Sequence, residues 1–319
     1  MVASWATVDL IMARGTATND TGTPLPAVVD DDGRSRLVAA IGAQVGSERE
    51  ARWIVEHVES AGIPGGPQRD RAVRLLADRR ATGEPLQYIL GRWPFRGLDL
   101  RVDPRVLIPR PETEQVVEVA LAELGRREGL PPSASCTCVD LGTGSGAIAL
   151  SLAVEAGSGC PDLEVWATDH SADALEVAWV NLTGLAGTDA AAAARVRLAE
   201  GSWFGALPSE LIGRVDLVVS NPPYVAASEY PDLEPTVRDW EPVEALVAER
   251  GVGGVEGMAA IEAIIAGARR WLRRTGSLVV EIAPHQAYAS IDAGRRAGFS
   301  QVSTERDLAG RLRVLVARC

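Results

Sequence analysis

Apolar residues recur at helical spacing over residues 36–80: Leu37, Ile41 and Val45, then Ala51, Ile54, Val55 and Val58, then Val73 and Leu76. Pro64-Gly65-Gly66-Pro67 breaks that rhythm, so this stretch predicts a small helical bundle. The period then changes to two. Over residues 93–112, Phe95, Leu98, Leu100, Val102 and Leu107 alternate with polar positions, and Gly97 and Pro104 mark turns, which predicts a β-hairpin linking two domains. Residues 113–129 read as a helix with Glu118, Glu123 and arginines on its polar face. Strand and helix patterns alternate from there to Ser277-Leu278-Val279-Val280-Glu281-Ile282, and residues 300–304 and 312–317 close the chain as an antiparallel edge pair. Repeated β-α-β units predict an α/β fold, a doubly wound and mostly parallel sheet with helices on both faces. Residues 1–34, rich in Thr, Gly, Asp and Pro without periodicity, predict a disordered tail. The expected organisation is therefore a tail (1–34), a helical N-terminal domain (35–92), a hairpin linker (93–112) and an α/β domain (113–319).

The candidate chemistry sits at strand ends. Val215-Asp216-Leu217-Val218-Val219-Ser220 reads as a buried strand that stops at Asn221-Pro222-Pro223-Tyr224. Prolines fix φ and lack N–H groups, so the turn is stiff and its carbonyls are available as acceptors. An amide, a fixed carbonyl and an aromatic ring at one strand end suit a planar –NH2 group. Asn221 Oδ1 and the Pro222 carbonyl would accept its two hydrogens, and Tyr224 would pack against its face. Alone, this is equally a strand followed by a Pro-rich turn.

A second motif tips the balance. Val139-Asp140-Leu141-Gly142-Thr143-Gly144-Ser145-Gly146-Ala147 reads as strand, glycine turn and helix start. Its Gly-x-Gly-x-Gly spacing is one residue shorter than the dinucleotide fingerprint. The next strand ends in Asp169, which can accept from both ribose hydroxyls or cap the helix that starts near Asp173. A third unit, residues 195–203, ends in Trp203, an aromatic surface for adenine. In order, Gly142, Thr143, Gly144, Ser145, Gly146, Asp169 and Trp203, together with Asn221, outline a nucleoside site without a diphosphate cradle.

With these motifs in place the chain resembles the class I S-adenosylmethionine-dependent methyltransferases, and within them the release factor glutamine methyltransferases, the HemK/PrmC family. The resemblance runs from about residue 37 to the end. It rests on Asn221 to Tyr224 and on Gly83-Glu84-Pro85-Leu86-Gln87-Tyr88. It also rests on Leu107-Ile108-Pro109-Arg110-Pro111-Glu112-Thr113-Glu114, Glu241-Pro242 with Ala245-Leu246, and Asp307-Leu308-Ala309-Gly310 with Arg313-Val314. The Asn-Pro-Pro-Tyr turn is shared with adenine-N6 and guanine-N2 methyltransferases, whereas the segment from Ile108 to Glu114 is particular to the glutamine family. One position departs: Ser202 stands where many relatives carry Asp, and a hydroxyl accepts more weakly than a carboxylate. The resemblance implies a seven-stranded sheet, an N-terminal domain that docks substrate, and S-adenosylmethionine as cofactor. It further implies methylation of the glutamine N5 atom in the Gly-Gly-Gln loop of class I peptide-chain release factors. The alternative is N6-adenine or N2-guanine methylation of nucleic acid with the same turn. A cofactor-binding but inactive partner protein is a third reading, disfavoured by the intact Asn221 to Tyr224. An amide nitrogen is a poor nucleophile, so catalysis would rest on positioning and carbonyl dipoles, with no evident His or Glu base. Glu112, Glu114 and Glu241 either shape the glutamine pocket or form caps and loop ion pairs.

The net charge of −11 and the absence of a basic stripe argue against nucleic acid as substrate and fit a basic protein partner. All 32 basic residues are arginine, a pattern of GC-rich coding. Cys136, Cys138, Cys160 and Cys319 lack zinc or redox spacing, and His57, His170 and His285 are scattered, so no metal is expected. No apolar run approaches the roughly 18 residues of a membrane span, and Asp9 interrupts the short apolar start, so a cytoplasmic protein is expected.

Overall fold

The computed structural model describes residues 31–63, 65–126, 135–156, 160 and 162–319. The tail expected over 1–34 falls outside these as far as residue 30. Residues 31–34 already form the first turn of α1 (Asp31–Val45).

The chain divides into two units, residues 1–90 and 91–319. In the first, α1, α2 (Glu48–Ser60), α3 (Pro67–Ala81) and α4 (Leu86–Leu90) enclose Leu37, Ile41, Ile54, Val55, Val73 and Leu76. Ser47 caps α2 by accepting from the Glu50 N–H, and Pro67 opens α3 at a position where no intrahelical donor is needed. The apolar spacing in the sequence is therefore the bundle core.

The second unit begins with a hairpin of β1 (Arg92–Phe95) and β2 (Leu98–Arg101), with Phe95 opposite Leu98. It is shorter than the alternation suggests. Residues 102–110 form no strand, although Val102, Val106 and Ile108 are buried. The hairpin is fastened within its own unit. Arg96 pairs with Glu118 and Glu155, and its N–H donates to Glu114 Oε1 at 3.0 Å in α5 (Pro111–Gly125).

The sheet follows: β3 (Cys136–Leu141), α6 (Ala147–Glu155), β4 (Leu163–Asp169), α7 (Ala172–Thr188), β5 (Val196–Glu200) and β6 (Val215–Ser220). A two-residue pair, β7 (Val225–Ala226) and β8 (Val247–Ala248), lies between β6 and α8 (Ala259–Trp271). Then come β9 (Leu272–Glu281), α9 (Ala287–Arg296), β10 (Gln301–Arg306) and β11 (Leu312–Arg318). The seven strands are ordered β10-β11-β9-β6-β3-β4-β5. β5, β4, β3, β6 and β9 run parallel, and β11 and β10 add antiparallel at one edge. This is the doubly wound, mostly parallel seven-stranded sheet.

Both faces are covered, which is why β3 and β6 are rich in apolar residues and buried at every position, including Thr137, Asp140, Asp216 and Ser220. Cys138, Leu217 and Val279 face one core with Val116, Val117 and Leu150; Val139, Val218 and Val280 face the other with Ile261 and Ile264. The strand order reverses between β3 and β6, which are neighbours in register, Leu141 opposite Ser220. Ligands in such sheets bind outside the carboxyl ends of the strands at that reversal.

Candidate active site

Beyond Leu141 the chain turns through Gly142, Gly144 and Gly146, with φ of 71°, 55° and 84°. A side chain would strain these positions, so the glycines are required by the backbone itself. The loop is tied internally. Gly142 and Thr143 both donate to the Thr168 carbonyl at 2.9 Å, and Gly146 donates to the Thr143 carbonyl at 2.8 Å. The Gly144 N–H donates to Asp169 Oδ2 at 2.9 Å. With these four donors used, the loop does not present the fan of N–H groups that holds a diphosphate.

Asp169 is buried and uses its second oxygen on the Ser171 N–H at 3.0 Å. The helix cap is Ser171, whose side chain accepts from the Ala174 N–H. Asp169 therefore ties the glycine loop to the start of α7 instead of capping it. At the end of β5, Trp203 has φ of 45°, a conformation costly for a bulky residue. Its ring lies against Gly142: a Cβ added there would come within 3.6 Å of Trp203 Cζ3. Asn181 of α7 stiffens the arrangement. Its Nδ2 donates to the Ser145 carbonyl at 2.8 Å and the Arg101 carbonyl at 3.1 Å, and its Oδ1 accepts from the Arg101 N–H at 2.6 Å.

These elements surround a cavity of about 400 Å³. Gly142, Thr143, Gly144, Ser145, Asp169, Ser202, Trp203, Asn221 and Pro223 all line it. Pro109, Thr113 and Glu244 add walls that strand and turn patterns do not single out, and Leu107, read in the sequence as a strand position, adds another. An adenosine-sized ligand fits a cleft of this volume. Glycine backbone, a carboxylate and an indole are groups that bind a nucleoside, so the residues present fit S-adenosylmethionine.

Three residues expected at the site are not among those that line the cavity. Gly146 is the N-cap of α6, and Pro222 is buried. Tyr224 points its hydroxyl to Glu281 Oε1 at 3.2 Å, and its carbonyl accepts from Gln286 Nε2 at 2.9 Å. The Asn-Pro-Pro-Tyr turn is thus anchored from beneath. Asn221 Nδ2 donates to Thr113 Oγ1 at 3.1 Å, and that hydroxyl donates to Glu281 Oε2 at 2.7 Å. Burial raises the Glu281 carboxyl above the ordinary glutamate range and raises the Tyr224 phenol as well. The signal for Glu281 was one acid inside the apolar run of β9, where a carboxylate has to be satisfied by partners.

Glu112, Glu114 and Glu241 have structural partners. Glu112 accepts from Arg311 Nη2 at 3.0 Å and Glu114 from the Arg96 N–H. Glu241 is buried, accepts from the Ile108 N–H at 3.1 Å and pairs with Arg110; burial raises its carboxyl. Beneath the glycine loop, Asp140 Oδ2 accepts from Thr143 Oγ1 at 2.6 Å and from the Ala149 N–H at 3.2 Å. Its Oδ1 has no hydrogen-bond partner among the described residues, and burial pushes the carboxyl up to about 7. No described helix is long and apolar enough to cross a membrane.

Comparison with known proteins agrees with this geometry. Residues 127–233 match the family model described as "Methyltransferase small domain". The release factor glutamine methyltransferase of Bordetella pertussis is 40% identical over 288 residues, 90% of this chain and 96% of that protein. Its counterpart in Bifidobacterium longum is 36% identical over 311 residues, 97% of this chain and 98% of that protein. That of Salmonella typhimurium is 39% identical over 279 residues, 85% and 91% of the two chains. The identity runs through both units, and the chain belongs to the release factor glutamine methyltransferase family.

Proposed function

We propose that this protein methylates the N5 atom of the glutamine in the Gly-Gly-Gln motif of class I peptide-chain release factors, in the cytoplasm, at the turn formed by Asn221 to Tyr224. S-adenosylmethionine is the methyl donor: it supplies a sulfonium methyl carbon that the amide nitrogen takes as the C–S bond breaks, releasing S-adenosylhomocysteine and a proton. The observation that carries the reading is that Asn221 stands in the wall of the same cavity as the glycine loop and Asp169. Gly142 to Ser145, Asp169 and Trp203 would hold the nucleoside, Asp169 through the ribose hydroxyls and Trp203 through the adenine, with Ser202 alongside. Gly146 contributes by holding the turn.

Asn221 Oδ1 and the Pro222 carbonyl accept the two hydrogens of the substrate amide. That fixes its nitrogen toward the methyl group and favours the pyramidal geometry in which its lone pair leaves conjugation. Positive charge develops on nitrogen as the bond forms, and these two dipoles oppose it. The proton leaves late, so no base is required, and the raised Glu281 does not line the cavity. Tyr224 fixes the turn through its hydroxyl bond. The bundle of residues 35–92 docks the protein substrate, and the net charge of −11 favours a basic partner over a polyanion.

Labelled-methyl transfer with purified release factor, its Gln→Ala variant and total tRNA and rRNA as competing acceptors tests the reading. Label in intact release factor alone is expected. Label in RNA, and none in release factor, would replace this reading with the nucleic-acid one.

A further inference from the structure

Asn221 follows β6 and Glu281 ends β9, its parallel neighbour, and Thr113, in the first turn of α5, lies between their side chains. Thr113 and Glu281 are 4% and 1% exposed, so both are satisfied chiefly by protein groups, although Thr113 reaches the cavity wall. A threonine hydroxyl has one proton to give. Here it goes to Glu281 Oε2 at 2.7 Å, and the Tyr224 hydroxyl occupies Oε1 at 3.2 Å, so both carboxylate oxygens act as acceptors. With its proton committed, Thr113 Oγ1 can only accept from Asn221. The group it meets must be Nδ2, the observed contact at 3.1 Å. Which end of an asparagine amide faces which partner is decided by such a network, and the planar group places Oδ1 on the opposite side. We propose that Glu281 and Thr113 form a polarity relay that holds the Asn221 amide with Nδ2 inward and Oδ1 toward the substrate. Both are positioning residues.

The assignment matters because a reversed amide would present –NH2 to the –NH2 of a glutamine, two donors face to face. Where Thr113 could donate outward, Asn221 would be free to reverse. The relay rests on the reading of Asn221 as holder of the substrate amide, and the experiment keeps the two separable. Five variants of the full chain are compared with wild type: Asn221→Ala, Thr113→Val, Thr113→Ser, Glu281→Gln and the double variant Asn221→Ala/Thr113→Val. For each, kcat and KM for purified release factor, the Kd for S-adenosylhomocysteine and the unfolding midpoint are measured.

Thr113→Val keeps the shape and removes the hydroxyl. It should lower kcat by about 10- to 100-fold, as expected when a preorganised contact loses its alignment, with the Kd changed by less than about threefold. Thr113→Ser should recover most of that loss. Glu281→Gln, which cannot accept through both oxygens, should lower kcat similarly. In the Asn221→Ala background, Thr113→Val should cost less than about twofold further, because a relay acts only through Asn221. Where Asn221→Ala leaves no measurable rate, or Thr113→Val does not fold, the recovery by Thr113→Ser and the loss in Glu281→Gln decide. Thr113→Val within twofold of wild type overturns the relay and leaves the Asn221 reading intact. Equal losses in Thr113→Val and Thr113→Ser, or full additivity with Asn221→Ala, also overturn it in favour of a packing role. An Asn221→Ala enzyme within a few-fold of wild type removes the underlying reading, and the relay falls with it.

Discussion

Asp169 separates a binding role from a structural one. Each of its carboxylate oxygens already accepts a backbone N–H, from Gly144 at 2.9 Å and from Ser171 at 3.0 Å. Each retains lone-pair capacity, and the residue lines the cavity. Asp169→Ala therefore removes two charge-assisted bonds that hold the loop and two acceptors offered to a ribose. Hydrogen bonds to charged groups are worth about 1.5–3 kcal/mol. Loss of the ligand contacts at that level weakens S-adenosylhomocysteine binding by roughly 10- to 150-fold. Asp169→Asn discriminates further. Whichever way the amide turns, its –NH2 faces one of the two backbone donors, so one contact becomes repulsive. Its affinity should be no better than that of the alanine variant, although it is nearly isosteric. Calorimetry with S-adenosylhomocysteine, alongside thermal unfolding without ligand, reads both effects. A lowered unfolding midpoint with unchanged affinity would reduce Asp169 to a strut between the glycine loop and α7, and the nucleoside assignment would fail.

Three further perturbations follow from the same structure. Asn181→Leu removes the side chain that satisfies both backbone groups of Arg101 and holds the Ser145 carbonyl. It should cost roughly 2–4 kcal/mol of stability by leaving buried groups unpaired, and it should weaken S-adenosylhomocysteine binding; unchanged affinity would show that the glycine loop keeps its shape unaided. Asp140, pushed up to about 7 by burial, binds a proton more tightly folded than unfolded, where its pKa is about 3.9. Stability therefore falls as pH rises from about 4 to 7; wild type should gain on Asp140→Asn in unfolding midpoint as pH is lowered from 8 to 5, and a constant difference would refute this. Deleting residues 1–90 leaves every residue that lines the cavity. The remainder should bind S-adenosylhomocysteine but no longer methylate intact release factor, and methylation at the full rate would refute a docking role for the bundle.

The sheet was legible because burial on both faces leaves a strong mark: β3 and β6 are short apolar-rich runs broken only by Thr137, Asp140 and Asp216 before their last residues, each followed by a residue class that stops a strand. The hairpin was legible only in part. Val102, Val106 and Ile108 are buried at spacings that mimic a strand, but they belong to an irregular strap lying on the core. Its backbone is satisfied piecemeal instead of by a neighbouring strand: Glu241 accepts from the Ile108 N–H and the Asp103 side chain from the Arg105 N–H, while the Gly91 and Asp103 carbonyls accept from the Val102 and Val106 N–H groups. Glu241 is 133 residues from Ile108, and no local pattern encodes such a bond. Alternation in sequence reports alternate burial; it does not report what satisfies the amides between.

The same distinction explains which part of the site could be read. Glycines at 142, 144 and 146 and prolines at 222 and 223 constrain the backbone wherever they stand, so their positions are informative one at a time. Thr113 and Glu281 constrain nothing alone. Their meaning comes from convergence: Glu281 is 57 residues from Tyr224 and 168 from Thr113, and only the β6–β9 pairing with α5 packed beside it brings them together. A lone acid in an apolar strand indicates that a partner must exist, because an unpaired buried carboxylate would cost more than a domain of this size can spare. The fold is what identifies the partners as two hydroxyls, one of which has a single acceptor function left, turned toward Asn221. The proposed acceptor face would thus be specified twice: locally by the stiff proline turn, and at long range by the carboxylate whose bond to Thr113 sets the sense of the Asn221 amide.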